Sequence, residues 1–590
     1  MRKTIFTRTN IISFFICSLL FLFTANNSYA ANPSLFFSDM TDGPTTGWEG
    51  SVIKGAAVTI WGTNLGNSRG TSSITACGVI LNSDSDFAEW GATTNPTTAR
   101  GLQRITFWLK PSMTVGDSTI SVKTAGGTSA YIPFHCRSLG TNHIYFISRS
   151  GSDSNNGLYS SSTGGSNGSW LSASKVRSLK AGDVAYFRSG IWTEIDNWSA
   201  VIDFWNTNHG NGTLNKSITI ASYPGELAKL GDSTTPHALG HHGSSGDVLN
   251  YWTFSKFLMR ASANVTNWAV AQTNSDDHLR FTGNDMSTTA GGKTIATFNG
   301  GSRGQTYLYF YGNYVCDAGV NNRGETAAQK GYSFYLGGYG FHNYIYVGWN
   351  EFAYNSAGRG MQIYGHTVND WIDNLYVHDN YIHENSMTGA ILGGGDGGGG
   401  SYNYEFLRTV YFYNNVLLKN GIGTPIYPGV LVGGEGWGGN NGKYYLYNNT
   451  FYLSREGELD VAGHPVLVSV KNNIFYTNAN GYLLRGDSCT VCTGNKNLYF
   501  GAGNGPVWDS NRIDDTDPQF ISANPVSYVD LQIKGTSPAK DAAETISLTV
   551  RDFYGVQRPV NAIPDIGAYE YNSDTVDTVR PNSPVIKSIN

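Results

Sequence analysis

A short alternating segment ending in asparagine recurs through the central part of the chain: residues 279–284 (LRFTGN), 308–313 (LYFYGN), 346–350 (YVGWN), 376–380 (YVHDN), 411–415 (YFYNN), 445–449 (YLYNN) and 468–473 (VSVKNN). The terminal residues Asn284, Asn313, Asn350, Asn380, Asn415, Asn449 and Asn473 lie 29, 37, 30, 35, 34 and 24 residues apart. Alternation with a period of two predicts a strand, and its return at this spacing predicts stacked coils, each burying its apolar face against its neighbours. Asparagine tolerates the left-handed turn conformation, and its amide can bond the same residue one coil away. These asparagines are therefore expected to form a structural ladder rather than a catalytic set.

A second segment follows within each coil. Residues 334–338, 361–365, 390–394 and 430–434 align without gaps. Strand alternation points Leu336, Ile363, Leu392 and Val432 into the core, and Tyr335, Gln362, Ile391 and Leu431 outward. The inserts between these segments vary in length and are expected to project as loops along one side, where binding residues concentrate.

Before the repeat, alternation in residues 57–61, 104–109 and 119–122, with Gly, Asn and Ser between them, predicts a small β-sandwich over residues 31–139. The run from Gly55 to Gly66 (GAAVTIWGTNLG) and that from Gly116 to Val122 (GDSTISV) resemble the IPT/TIG immunoglobulin-like domains. That resemblance implies a spacer, carbohydrate contact or surface contact. Residues 145–157 (YFISRSGSDSNNG) and 181–192 (AGDVAYFRSGIW), with 517–520 (DPQF), 537–542 (SPAKDA) and 564–571 (PDIGAYEY), resemble the opening and closing segments of secreted right-handed parallel β-helix proteins of the pectin-lyase-like superfamily. The resemblance implies an all-β chain: a parallel β-helix over 140–500, its closing segment over 501–572 and a polar tail over 573–590. It leaves the reaction open, because the superfamily holds polysaccharide lyases, glycoside hydrolases, epimerases and non-catalytic surface proteins.

Composition narrows the class. Of 590 residues only 14 % are charged, while 73 are glycine, 36 are tyrosine and 13 % are aromatic, which excludes disorder and coiled coil. A formal charge of −5 with no basic run argues against nucleic acid as a partner. Arg2, Lys3 and Arg8 precede an apolar run from Ile11 to Phe23, and Ser28-Tyr29-Ala30 supplies small residues for cleavage, so residues 1–30 read as a secretory signal. The run is shorter than the roughly 20 residues a membrane helix needs, so no membrane insertion is expected. In an oxidising compartment Cys77 pairs naturally with Cys136 and Cys489 with Cys492, leaving Cys316 over.

Two groups of residues carry candidate chemistry. Just past the second strand the aligned positions are Tyr339, His366, Gly395 and Glu435, with Asp396 displaced by one, beside glycine-rich loops. Asp396 and Glu435 suit acid/base hydrolysis of a glycosidic bond, with His366 assisting. At the other end of the strand, Lys330 and Arg359 resemble the lysine base and arginine acid of β-helix lyases acting on alginate and chondroitin, with Glu325 as a neighbour, although Gly360 follows Arg359 where those enzymes carry histidine. Tyr339, Gln362 and Trp437 are candidate substrate contacts. The tyrosines, with Trp349 and Trp371, offer further faces for sugar stacking, though alternation assigns most aromatics to the core. No cofactor is indicated by a motif; calcium is a candidate because acidic turns can bind it, but no ligand spacing identifies it and the metal assignment stays open. The expected function is depolymerisation of an extracellular polysaccharide, acidic ones included, by hydrolysis or β-elimination, the alternative being a non-catalytic glycan-binding surface protein.

Overall fold

The computed structural model describes residues 31–573 apart from 93–97, 162–165, 197–199, 205–207, 242–246, 263–268, 289–293, 300–302, 319–330, 338–339, 366–369, 396–406, 425, 434–441, 464, 479–480 and 485–488. Three long parallel sheets dominate it. Sheet I has 13 strands running from Ile144–Ile147 to Asp509–Ser510, sheet II has 11 from Gly190–Trp192 to Leu498–Phe500, and sheet III has 10 from Ala200–Phe204 to Leu483–Leu484. Each coil visits I, II and III in turn, so strands from successive coils are neighbours in every sheet: a parallel β-helix. The alternating segments ending in asparagine form sheet I, and the second segments form sheet III. Sheet II was not apparent from the pattern, because its strands, such as Tyr314–Cys316 and Tyr381–His383, are only three residues long.

The expected ladder is present and longer than expected. Asn284, Asn313, Asn350, Asn380, Asn415, Asn449 and Asn473 each donate from the side-chain amide to the next asparagine's carbonyl, at 2.8–3.1 Å, and the series ends on Asn497. The residue before the asparagine takes the left-handed turn, as in Trp349, Asp379, Asn414 and Asn448. A second ladder, Asn355 to Asn385 to Asn420, stands at the corner between sheets II and III. The registers Leu336↔Ile363, Ile363↔Leu392 and Leu392↔Val432 match the alignment, and all four side chains are fully buried.

The N-terminal region is a β-sandwich of a four-stranded and a six-stranded sheet, largely antiparallel, sharing one core that includes Ile60, Phe107, Ile120 and Phe134. Cys77 and Cys136 form a disulfide inside it, and Cys489–Cys492 close a tight loop. The sandwich is docked on the coils. Its core continues into Ile144, Phe146, Val184 and Tyr186 of sheet I, and the Tyr186 hydroxyl bonds both the N–H and the carbonyl of Ala57 at 2.9 Å. Lys256, buried in the helix, places Nζ 3.4 Å from Asp39 Oδ2. Trp349, a candidate sugar platform, instead packs between Phe36, Phe37 and His378 at this junction.

The C-terminal segment covers the other flank. Phe520, Tyr528, Leu531, Phe553 and Tyr569 bury the outward side chains of sheet II, among them Tyr381, Val416, Leu418, Tyr452 and Ile474. It also reaches the sandwich: the Ser34 hydroxyl donates to the Gly555 carbonyl at 2.9 Å, and that of Thr63 to Tyr554 at 2.5 Å. No helix among the described residues is long and apolar enough to cross a membrane.

Candidate functional site

With sheet II closed over much of its length by the C-terminal segment, outer surface remains on sheets I and III. On sheet I one outward row reads Ile144, Val184, Thr219, Thr253, Arg280, Tyr309, Tyr346, Tyr376, Tyr411, Tyr445, Ser469. Its early members lie under the sandwich. Arg280 marks the edge: its guanidinium donates to the Ser38 carbonyl at 2.8 Å and sits 5.2 Å from the centre of the Tyr309 ring. Beyond it, five tyrosines stack along the helix axis with ring centroids 5.2, 5.0, 4.9 and 5.1 Å apart and interplanar angles of 3, 9, 14 and 15°. This spacing follows from the distance between neighbouring strands.

All five rings are half-buried, their faces covered by one another in the stack, so that ring edges make up the exposed part. Partial burial, and next the adjacent phenols, push the hydroxyl pKa of Tyr346, Tyr376 and Tyr411 above the ordinary value, so the row stays uncharged around neutrality. A second stack, Tyr251, His278, Tyr307 and Tyr344, flanks it at 4.1, 4.3 and 4.9 Å. Phe341 and Trp371 lie 5.1 Å apart at the same edge, with the Arg408 guanidinium 4.3 Å over the Trp371 ring. These aromatics face outward, where alternation had assigned most to the core. The signal was in the alignment, since the tyrosine recurs in the same outward phase of each strand.

On sheet III the outward row includes Thr297, Tyr335, Gln362, Ile391 and Leu431. Tyr335 and Gln362 are half-buried, whereas Ile391 and Leu431, although outward in phase, are buried. Arg359 pairs with Tyr332 in register and is 2 % exposed. It donates to the Gln362 side-chain carbonyl, and its guanidinium lies 5.9 Å from the Tyr332 ring centre. Tyr335 joins Tyr332 at 5.4 Å and Tyr364 at 5.5 Å. Arg359 and Gln362, assigned to separate roles from the sequence, are thus brought together within a tyrosine cluster.

Tyr339, His366, Asp396, Glu435, Trp437, Lys330 and Glu325 lie outside the described residues. Tyr364, at the end of the described strand, precedes His366 by two positions. Neither open face gathers three His, Cys, Asp or Glu side chains closely enough for a metal ion among the described residues; such a group occurs elsewhere, in the early coils.

The fold is similar to the crystal structure of pectate lyase Pel9A, at 14 % identity over 73 % of this chain and 96 % of that one, with a TM-score of 0.46. It is also similar to XylC, solved in complex with xylose, at 10 % identity over 72 % of this chain and 98 % of that one, with a TM-score of 0.40. At these values the likeness concerns the fold alone. No protein-family model and no curated protein matches the chain.

Proposed function

We propose that the protein is an exported, carbohydrate-active β-helix that lays an extended polysaccharide along its coils and cleaves glycosidic bonds in it. The observation that carries this reading is the five-rung tyrosine row, Tyr309 to Tyr445, open along one edge and running parallel to the helix axis. Sugar rings carry polar edges, and a row of ring edges with hydroxyl handles complements them. The two disulfides support an oxidising compartment and hence the signal-peptide reading of residues 1–30.

Bond cleavage falls to residues at the two ends of the sheet III strands. In the hydrolytic version, Asp396 or Glu435 protonates the leaving oxygen while the other acts as nucleophile or activates water, and His366 tunes their protonation. In the eliminative version, Lys330 removes the proton at C5 of a uronate, the C4–O bond breaks, and Arg359, released from Gln362 as the substrate enters, delivers a proton to the departing oxygen. The second reading, a glycan-binding surface protein that does not cut, is favoured by the tyrosine row itself, which carries no acid or base suited to cleavage.

One experiment separates the three: incubation of the purified protein with a panel of neutral and acidic polysaccharides. New reducing ends without ultraviolet absorbance indicate hydrolysis, and unsaturated uronate absorbance indicates elimination. Retained binding with neither product supports the surface protein, and failure to bind any glycan overturns the proposal.

A further inference from the structure

In the early coils, an inward-facing row of sheet III that elsewhere carries apolar side chains is interrupted. Phe298, Leu336, Ile363, Leu392 and Val432 fill this row in later coils, and Phe204 begins it. His241 pairs with Phe204 in register, so an imidazole with a side-chain exposure of 0 % occupies this row, with Thr273 following before the row turns apolar at Phe298. Such a group needs partners. It has three, all from the turns leading out of sheet III: Asp276, Asp247 and His209.

The contacts of this cluster aim two imidazole nitrogens at one carboxylate. His209 Nδ1 lies 3.1 Å from the Gly210 carbonyl oxygen, which only accepts, so Nδ1 carries the proton. Its Nε2 then turns a lone pair toward Asp247 Oδ1 at 2.9 Å. At His241 both ring nitrogens face carboxylates without meeting hydrogen-bond geometry: Nδ1 is 2.7 Å from Asp276 Oδ1, and Nε2 is 3.6 Å from Asp247 Oδ2. Asp276 is itself held by the Leu249 N–H at 2.9 Å. Two ring nitrogens and a carboxylate therefore converge, with their ligand atoms all within 4.8 Å of one another.

We propose that His209 Nε2, His241 Nε2 and the Asp247 carboxylate form a structural site for a divalent transition metal of the zinc class, with Asp276 orienting His241 from the far side of its ring. Two nitrogens and one oxygen suit zinc and disfavour calcium, which takes oxygen ligands. A carboxylate or carbonyl behind each metal-bound histidine is the usual support for such a ligand. The side chains of His209, His241 and Asp247 are at most 2 % exposed, which fits a structural role. Binding would tie together turns from successive coils, those following Ala200–Phe204 and His237–His241, with the turn after Ala269–Asn274 held through Asp276.

The test uses the full chain, stripped with chelator and then equilibrated with Zn2+ or Co2+. Uptake of about one Zn2+ per chain, a higher melting temperature with Zn2+ than with chelator, and visible Co2+ absorption of tetrahedral intensity are expected. H209Q and D247N should each lower uptake at least tenfold. Absence of uptake by the wild-type chain at micromolar free Zn2+ overturns the site, as does full stoichiometry in both variants; the cluster is then a buried network of imidazolium–carboxylate pairs. If the variants fail to fold, the wild-type Co2+ spectrum decides alone, its visible bands supporting the site and their absence overturning it.

Discussion

The Asp42 carboxylate, in the sandwich, accepts both the backbone N–H of Ser217 at 2.9 Å and its hydroxyl at 2.6 Å, in the helix. Its other oxygen takes the Arg137 Nε–H at 2.9 Å. Asp42 and Arg137 are 1 % and 5 % exposed, so one buried carboxylate closes both the sandwich's own ion pair and its junction with the coils. Replacing Asp42 by Ala strands a buried guanidinium and should cost about 3–5 kcal/mol in equilibrium urea unfolding. Ser217→Ala, which keeps the N–H bond, should cost only about 1 kcal/mol.

The asparagine ladder makes a graded prediction. Asn380 receives the N–H and the side-chain amide of Asn350, each at 3.0 Å, and donates to Asn415 Oδ1 at 3.0 Å and the Val347 carbonyl at 2.9 Å. Asn380→Ala leaves the buried Asn350 N–H without its acceptor and removes one bond each from the Asn350 amide, Asn415 Oδ1 and the Val347 carbonyl, and a loss of about 3 kcal/mol is expected by chemical denaturation. Asn380→Asp retains the acceptor but turns a carboxylate oxygen toward Asn415 Oδ1 and the Val347 carbonyl, so near neutral pH it should cost at least as much as Ala.

For the tyrosine row, Tyr376→Ala removes the middle rung. Glycan affinity measured by calorimetry should fall roughly fivefold, for a loss of about 1 kcal/mol. The same change at Tyr354, which packs against His383 on sheet II, should leave affinity unchanged. Equal effects at the two positions would show that the row is not the binding face.

Acid and alkaline limbs of the stability profile have separate sources. Burial pushes the His342 pKa down to about 4 against the opposing pull of Asp370, and its Nδ1 accepts the Gln305 N–H at 3.1 Å. With the folded value below the unfolded 6.5, His342 contributes stability that is full above pH 6.5 and lost as pH falls through about 4. The shift corresponds to about 3 kcal/mol. Glu458 has the opposite sign. Burial raises it from 4.5 to about 8, so its contribution is full below pH 4.5 and disappears as pH rises through about 8. Thermal melts across this range should lose their acid limb in H342Q and flatten on the alkaline side in E458Q.

The Cys77–Cys136 disulfide closes a loop with a sequence separation of 59, which corresponds to about 4 kcal/mol of unfolded-state entropy. A C77S/C136S chain should therefore unfold at markedly lower denaturant. Cys489–Cys492, separated by 3, should matter much less.

Sheets I and III were legible in the sequence because each repeats a two-residue alternation long enough to align, and the asparagine rungs because one residue type serves every corner. Sheet II was not, since strands of three residues such as Thr450–Tyr452 carry too little alternation to separate from a turn. The direction of the tyrosines was lost for a different reason. A ring such as Tyr376 is apolar enough to suit a core and polar enough for a surface, and only register across coils tells which. Docking of the sandwich was hidden as well, because Asp42 and Ser217 lie 175 residues apart and neither belongs to a motif. Of the candidate site, Arg359 and Gln362 were recognised singly, and their hydrogen bond came from the strand geometry alone.

A solenoid ordinarily has two independent ends, and each can fray without consulting the other, because every coil touches only its neighbours. The bond between Ser34 and Gly555 spans 521 residues of sequence and removes that independence. Mechanically the molecule is a ring rather than a rod. A pull on the first strand is transmitted to the last through the sandwich and the C-terminal segment, bypassing the coils between. Loosening at one terminus therefore exposes the other, and unfolding should register as one cooperative transition in calorimetry instead of a progression along the stack.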